Sequence, residues 1–318
     1  MTSEIEFYLP LTGSTGNMAL DGNSEYVRLN KLAERRRWSP YHDLPWSRAG
    51  VCNTQPHKDR SPFGNPLHGF PPYEALDPIN KNRADHQRLS LELSEILHGE
   101  VLALLVSAQL VNLLADQEAK NFAAIQAADE ARHVSFFREY MREHRLPVAA
   151  PSRALQQLSL ATLQDPLWQH KILCCQIVIE SLALAQFSWM RTIDIPPLLR
   201  EGLGRILEDE ARHVKFGVVL LDDYFRNLPV SEQEEHSAYV MNSVMQLSPS
   251  DNHLTQLATD WDWSPHALRH HLRSRRTQLP ALYQARFRQL SLNLRKIGLL
   301  TPGATARLQR FMGKANAV

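Results

Sequence analysis

Apolar positions recur three and four residues apart through four long stretches between residues 84 and 227, with polar residues filling the places between them. That period marks amphipathic helices and predicts helices over 84–114, 117–143, 166–191 and 197–227. Leu93, Ile96, Leu97, Leu104 and Val111 form the stripe of the first; Leu173, Ile177, Leu184 and Phe187 form that of the third. Asp116, Lys120 and Asn121 interrupt the pattern near residue 115, and Asp194-Ile195-Pro196-Pro197 interrupts it near 195. An aspartate cap followed by proline in the first turn starts a helix. Both interruptions therefore read as hairpin turns, with Asp194 capping the last helix. Pro147, Pro151 and Ser152 mark a link between the hairpins that is long enough to cross a bundle.

The ends are less regular. Residues 1–22 read as an irregular lead, Glu25–Arg37 as a short helix, and Trp38–Pro78, rich in proline, glycine and asparagine, as a long wrapping loop. Further helices are predicted over 232–247, 264–274, 279–298 and 303–314. The expected organisation is a lead and loop over 1–78, a four-helix bundle over 79–230 and a helical extension over 231–318, packed together as one domain.

The stripes carry a repeated word. Asp-Glu-Ala-Arg-His stands at Asp129–His133 and again at Asp209–His213; Glu100 precedes Glu130 by 30 residues, as Glu180 precedes Glu210. Residues three apart share a helix face, so Glu130 with His133, and Glu210 with His213, can each grip one metal ion. At about 1.5 Å of rise per residue, each upstream glutamate returns to the level of its partner if the chain reverses midway. Glu100 and Glu180 lie on apolar faces, where a carboxylate is costly unless a cation meets it. One Glu-x-x-His pair could be a solvated helix face, but two pairs with matched upstream glutamates are the ligand complement of a carboxylate-bridged dinuclear centre. Such donors suit iron or manganese.

In this reading each Glu-x-x-His pair serves its own metal, and Glu100 and Glu180 are the candidate catalytic carboxylates, free to bridge. Asp129 and Asp209 are candidates to accept the second ring N–H of the histidines, with Arg132 and Arg212 holding those aspartates or forming ordinary surface pairs. Gly99, Ala103, Ser107, Ser181, Ala183 and Ala185 either leave room for a substrate or let helices pack closely, and Gln176 is a candidate polar contact in the same pocket.

Composition narrows the setting. At 318 residues and 43% hydrophobic content a sizeable core is available. The cysteines Cys52, Cys174 and Cys175 suggest no disulfide framework, so a reducing cytoplasm is expected, with Cys174 and Cys175 as small core residues. No signal-like apolar segment follows Met1, and the run Val101–Ala115 is interrupted by Ser107, Gln109 and Asn112, so no membrane span is expected. Ser264–Lys314 contains eleven Lys or Arg and no Asp or Glu, although the chain carries only +1. These charges, Arg273, Arg275, Arg276, Arg286 and Arg288 among them, either pack on an acidic bundle or attract an anionic substrate or carrier protein. No nucleic-acid recognition motif accompanies them. No flavin or nicotinamide fingerprint is present, so electrons must come from an external donor.

The doubled motif, with the segment Trp38-Ser-Pro-Tyr-His-Asp-Leu-Pro-Trp46, resembles the di-iron N-oxygenase family typified by p-aminobenzoate N-oxygenase and the chloramphenicol-pathway arylamine oxygenase; the similarity covers roughly residues 25–225. The resemblance implies an all-α, ferritin-like four-helix bundle with added N- and C-terminal helices. It also implies two non-haem irons held by Glu100, Glu130, His133, Glu180, Glu210 and His213. With dioxygen as co-substrate, such enzymes oxidise an amine, free or carrier-bound, through hydroxylamine towards nitroso or nitro products in specialised metabolism. A homodimer is compatible with this reading. The family has a further histidine ligand one turn before the second motif's glutamate; this chain has Ile206 there, whose side chain should approach the metals without binding them. His98, two positions before Glu100, points elsewhere and is no replacement. A C-hydroxylase or oxidase with a di-iron or Mn/Fe centre is the alternative enzyme, and a metal-storage or ferroxidase bundle the alternative of another class.

Overall fold

Both hairpins form where the polar interruptions fall. A computed structural model of the chain describes residues 24–46, 65–193, 195–247, 253–278 and 280–316, and no strand occurs among them. Helix α3, Pro78–Leu113, begins six residues before the start at 84 that the pattern predicts because Asp77 caps it, accepting from the backbone N–H groups of Ile79 and Asn80 at 2.9 Å with Pro78 in the first turn. Helix α4, Gln117–Glu143, starts at Asp116, whose side chain accepts from Ala119 N at 2.7 Å. Helix α8, Pro197–Phe225, begins after Pro196, which supplies no side-chain cap; the predicted cap Asp194 lies outside the described residues.

The link between hairpins is itself partly helical, which its prolines concealed. Helix α5, Arg153–Gln164, is capped by Ser152, which also binds Glu95 at 2.6 Å and so ties the crossover to α3. At its far end the buried Lys171 ammonium donates to the carbonyls of Thr162 and Leu163 at 2.8 and 3.1 Å, closing the helix terminus.

The third bundle helix is interrupted. Helix α6, Trp168–Ile172, passes into a π-helical segment, Leu173–Ile179, and then into α7, Glu180–Met190. A π turn stacks residues five apart; here it brings the Cys175 thiol within 3.5 Å of Glu180 Oε1. Leu173 through Val178 are all buried, so this stretch shows no amphipathic period. Gly217 on α8 permits the close approach, since a Cβ there would stand 2.7 Å from Gln176 Cβ. Gly202 lets α8 cross α4 in the same way, its missing Cβ falling 2.1 Å from the Phe136 ring.

Helix α1, Glu25–Arg35, lies on α4 and α8, with Asn30 donating to Glu118 and Tyr26 edge-on to Phe216 at 5.9 Å. Of the predicted wrapping loop, residues 47–64 lie outside the described residues, and the remainder contains a short helix α2, Pro71–Glu74. Its Phe70 and Tyr73 join Leu257, Trp263 and Leu268 in a small separate core. Helices α9 (Val230–Gln246), α10 (Gln256–Asp260), α11 (Pro265–Gln278), α12 (Pro280–Lys296) and α13 (Pro302–Asn316) complete the chain. Leu290, Leu294 and Leu308 enter the same apolar core as Val106, Phe122 and Ile177 of the bundle, and Asn293 of α12 donates to Ser181 of α7 at 2.8 Å. Of the basic residues singled out there, the side chains of Arg275, Arg276 and Arg286 lie outside the description.

The absence of a span-like stretch is not upheld. Pro78–Leu113 and Trp168–Met190 are each long and apolar enough by composition to cross a membrane. Each also carries one of the buried upstream glutamates, Glu100 or Glu180.

Candidate metal centre

Six side chains converge between α3, α4, α7 and α8. Glu100, Glu130, His133 and Glu210 form one group whose ligand atoms lie within 4.8 Å of one another; Glu130, Glu180, Glu210 and His213 form a second. None of the six is more than 6% exposed. Glu130 and Glu210 belong to both groups, so the shared positions fall to the motif glutamates and not to the upstream pair expected to bridge.

His133 Nδ1 stands 3.1 Å from Glu100 Oε2, 3.1 Å from Glu130 Oε2 and 3.3 Å from Glu210 Oε1. His213 Nδ1 stands 3.1 Å from Glu130 Oε1, with Glu180 and Glu210 each at 3.9 Å. The outer nitrogens are tied across the repeats. His133 Nε2 meets Asp209 at 3.0 Å, and His213 Nε2 meets Asp129 at 3.1 Å. An Nε2–H donated outward leaves Nδ1 facing the cluster as a ligand lone pair. Arg132 pairs with Asp129, and Arg212 with both Asp129 and Asp209.

Two contributors come from outside the repeat. The indole N–H of Trp38 donates to Asp209 Oδ2 at 2.8 Å, and its ring stacks on His133 at 6.3 Å. The fully buried Gln126 amide donates to Glu180 Oε1 at 2.7 Å and Glu130 Oε1 at 3.3 Å, and its carbonyl accepts from Gln176 at 3.1 Å. Gln126 was missed, although a lone polar residue one turn before Glu130 on an inward stripe was a usable signal. In the sequence Trp38 is legible only as part of the segment Trp38–Trp46 that resembles the family.

Without metal, the carboxylates hold protons unequally. Burial pushes Glu100 up to about 8 against the pull of His133. Burial and then Glu210 raise Glu180 well above the carboxylate range, and burial and then Glu130 raise Glu210. For Glu130 burial is outweighed by His213 and His133, which hold it below the usual range; for Asp209 it is outweighed by His133 and Arg212. Both histidines are raised despite burial, His133 by Asp209 and Glu100, His213 by Glu130 and Asp129. Glu180 Oε2, Glu210 Oε2 and His213 Nδ1 are buried without a hydrogen bond. Four enclosed carboxylates, two imidazoles and unsatisfied lone pairs facing one another fit a pair of divalent cations.

The remaining predicted residues divide. Ile206 is fully buried in an apolar cluster with Phe136, Phe137 and Leu203, and His133 and His213 are the only histidines in the two ligand groups among the described residues. His98 instead reaches the Ala149 carbonyl at 2.9 Å. Ala103 and Ser107 are buried on α3, Gln176 bonds Gln126, and Ala183 packs against the Ile206 cluster. None of these lines the groove of about 950 Å³ between α7, α8 and α12, which Leu184, Ala185, Trp189, Val214, Lys215 and Lys296 help to form. That groove also contains none of the six candidate ligands.

The family model for P-aminobenzoate N-oxygenase AurF matches residues 23–278. Among solved structures, a single-substitution variant of R2-like ligand-binding oxidase with an aerobically reconstituted Mn/Fe cofactor aligns with a TM-score of 0.53 at 18% identity, covering 87% of this chain and 94% of that one. Another variant of that oxidase, with an anaerobically reconstituted Mn/Fe cofactor, aligns with a TM-score of 0.55 at 18% identity, covering 88% and 96%. No curated protein matches the chain in sequence. The fold is thus ferritin-like, and the chain belongs to the p-aminobenzoate N-oxygenase AurF family of non-haem di-metal oxidoreductases.

Proposed function

We propose that this chain is a dioxygen-dependent N-oxygenase that oxidises a small amine at a pair of iron ions. The observation that carries the reading is the family match over residues 23–278 together with the six buried donors standing in two four-ligand groups. Glu130 and Glu210 would lie between the metals, Glu100 with His133 would complete one, and Glu180 with His213 the other. Glu100 and Glu180 each belong to one group only. Bound iron supplies the electrons and the open positions for dioxygen reduction.

The protein's own part is positional. Asp129 and Asp209 fix the histidine tautomers, Arg132 and Arg212 hold those aspartates in place, and the surrounding leucine, isoleucine and phenylalanine walls exclude water. An external reductant is required for repeated turnover, since the chain has no fingerprint for a redox coenzyme of its own.

A second reading is favoured by Ile206. Where the family resemblance implies a third imidazole, this chain presents a buried aliphatic side chain, and a C-hydroxylase or oxidase with Fe/Fe or Mn/Fe fits the six-ligand set equally. The test is anaerobic reconstitution with ferrous iron, addition of dioxygen and a panel of amines, and mass spectrometry of the products. Hydroxylamine, nitroso or nitro products support N-oxygenation; products oxidised only at carbon sink it in favour of the second reading.

A further inference from the structure

The two halves of the centre differ one helical turn before each glutamate. Gln126 lies four residues before Glu130, and the equivalent position before Glu210 is Ile206; Gln176 lies four before Glu180, and the equivalent before Glu100 is Ile96. In α3, α4 and α8 residues so spaced share a helix face, while Gln176 lies in the π segment before Glu180. One half therefore has two amides where the other has two isoleucines, and the isoleucines belong to one apolar cluster. The amides form a chain. Gln176 donates to the Gln126 carbonyl at 3.1 Å, which turns the Gln126 amino group toward Glu180 Oε1 at 2.7 Å. Glu180 Oε2 is left without a hydrogen bond. Among the described residues Glu100 has no such outer donor: its partner is His133 Nδ1 at 3.1 Å, itself a candidate ligand.

We propose that Gln126, aimed by Gln176, is a positioning residue that occupies one oxygen of Glu180 and so fixes it as a single-oxygen ligand, while Glu100 keeps both oxygens available. The two metal positions are then inequivalent by construction, and the carboxylate able to change its binding mode is Glu100. All participants are buried, so water does not compete for the Gln126 amide. The inference rests on the di-metal part of the reading above and is independent of which substrate atom is oxidised.

Anaerobic loading with ⁵⁷Fe(II), without dioxygen or amine, followed by Mössbauer spectroscopy, tests it. Wild-type protein should take up two irons and give two distinct doublets of equal area. Gln126→Met should keep two irons and shift the Glu180-side doublet, with a smaller change in the other because Gln126 also reaches the shared Glu130 at 3.3 Å, and its metal-loaded crystal structure should have both Glu180 oxygens on the metal. Gln176→Leu, which retains the Gln126 donors but frees their direction, should broaden the same doublet and serves as the decisive variant if Gln126→Met does not fold. Two irons with both doublets unmoved, or a change confined to the Glu100 side, would overturn the inference alone. Wild-type protein that binds fewer than two irons would overturn the di-metal reading, and this inference with it.

Discussion

Glu130 and Glu210 occupy the same letter of the same five-residue word, yet they stand in different electrostatic surroundings. Glu130 meets both imidazoles at 3.1 Å and also receives the Gln126 amide, which leaves it ionised. Glu210 meets His133 at 3.3 Å and His213 only at 3.9 Å, keeps one oxygen without a hydrogen bond, and is raised by burial and by Glu130 itself. The supporting groups are as uneven: among the described residues Trp38 serves Asp209 and has no counterpart on Asp129, and of the two upstream glutamates only Glu180 receives the Gln126 amide. A repeated motif thus fixes which atoms face the metals, and the unrepeated parts of the chain decide how each is held.

The largest effect should separate shared from unshared ligands. Glu130→Ala or Glu210→Ala removes a donor from both groups and is expected to reduce bound iron well below two per chain and abolish oxygen-dependent turnover. Glu100→Ala or Glu180→Ala removes a donor from one group and should leave about one tightly held ion. Metal analysis after anaerobic loading and desalting reads the difference. Equal retention in all four variants would remove the distinction between bridging and terminal carboxylates.

A pH series on metal-free protein tests the same asymmetry. A carboxyl raised on folding binds more protons in the native than in the unfolded state, so stability falls as pH rises between the two values. Glu100, raised from 4.5 to about 8, places that window between about pH 4.5 and 8, and Glu180, Glu210 and the two raised histidines act in the same direction. Glu130 and Asp209, held low, contribute the opposite slope only below their ordinary 4.5 and 3.8. The melting temperature should therefore fall from pH 5 to pH 8 without metal, while metal uptake strengthens as the protons leave. Glu210→Gln should flatten the slope and Glu130→Gln should lower the melting temperature throughout; identical behaviour of the two would contradict the inequality of the repeats.

What could be read from the sequence was whatever repeats or alternates. The two hairpins, the six candidate ligands and the aspartates and arginines around them follow from periodicity and from a duplicated word. The early start of α3 depended on a cap, Asp77, placed ahead of any apolar stripe. Helix α5 was hidden by flanking prolines, and the π segment by burial on every side, which erases the hydrophobic period. The Gln126–Glu180 and Trp38–Asp209 hydrogen bonds span 54 and 171 residues of chain, a distance over which local spacing carries no information; only the place of Gln126 one turn before Glu130 is legible.

The crossed pairing of histidines and aspartates predicts an effect in the opposite repeat. Asp209→Asn, which keeps shape but removes the charge that orients His133, should weaken the metal beside Glu100 by about 10–100-fold, although residue 209 adjoins Glu210. Asp129→Asn should do the same to the metal beside Glu180. Affinities from competitive chelation, combined with the site-resolved iron spectra, decide the matter. Weakening of the metal nearest in sequence would mean that the crossing plays no part in binding.

Trp38→Phe should give the smallest change. It removes one neutral donor from Asp209 while Arg212 and the His133 imidazole remain, so the aspartate stays ionised and the tautomer stays set. A hydrogen bond to a charged group contributes about 1.5–3 kcal/mol, and the phenyl ring retains most of the stacking on His133. The metal-free protein should therefore lose stability by about that amount in denaturant titration. Acting one contact farther out than Asp209, the substitution should weaken the Glu100-side metal by less than about tenfold and leave the Glu180-side spectrum unmoved. A loss as large as that in Asp209→Asn would place Trp38, and not the charge of Asp209, in control of His133; an equal shift at both metals would show that the indole supports the whole bundle and not one repeat.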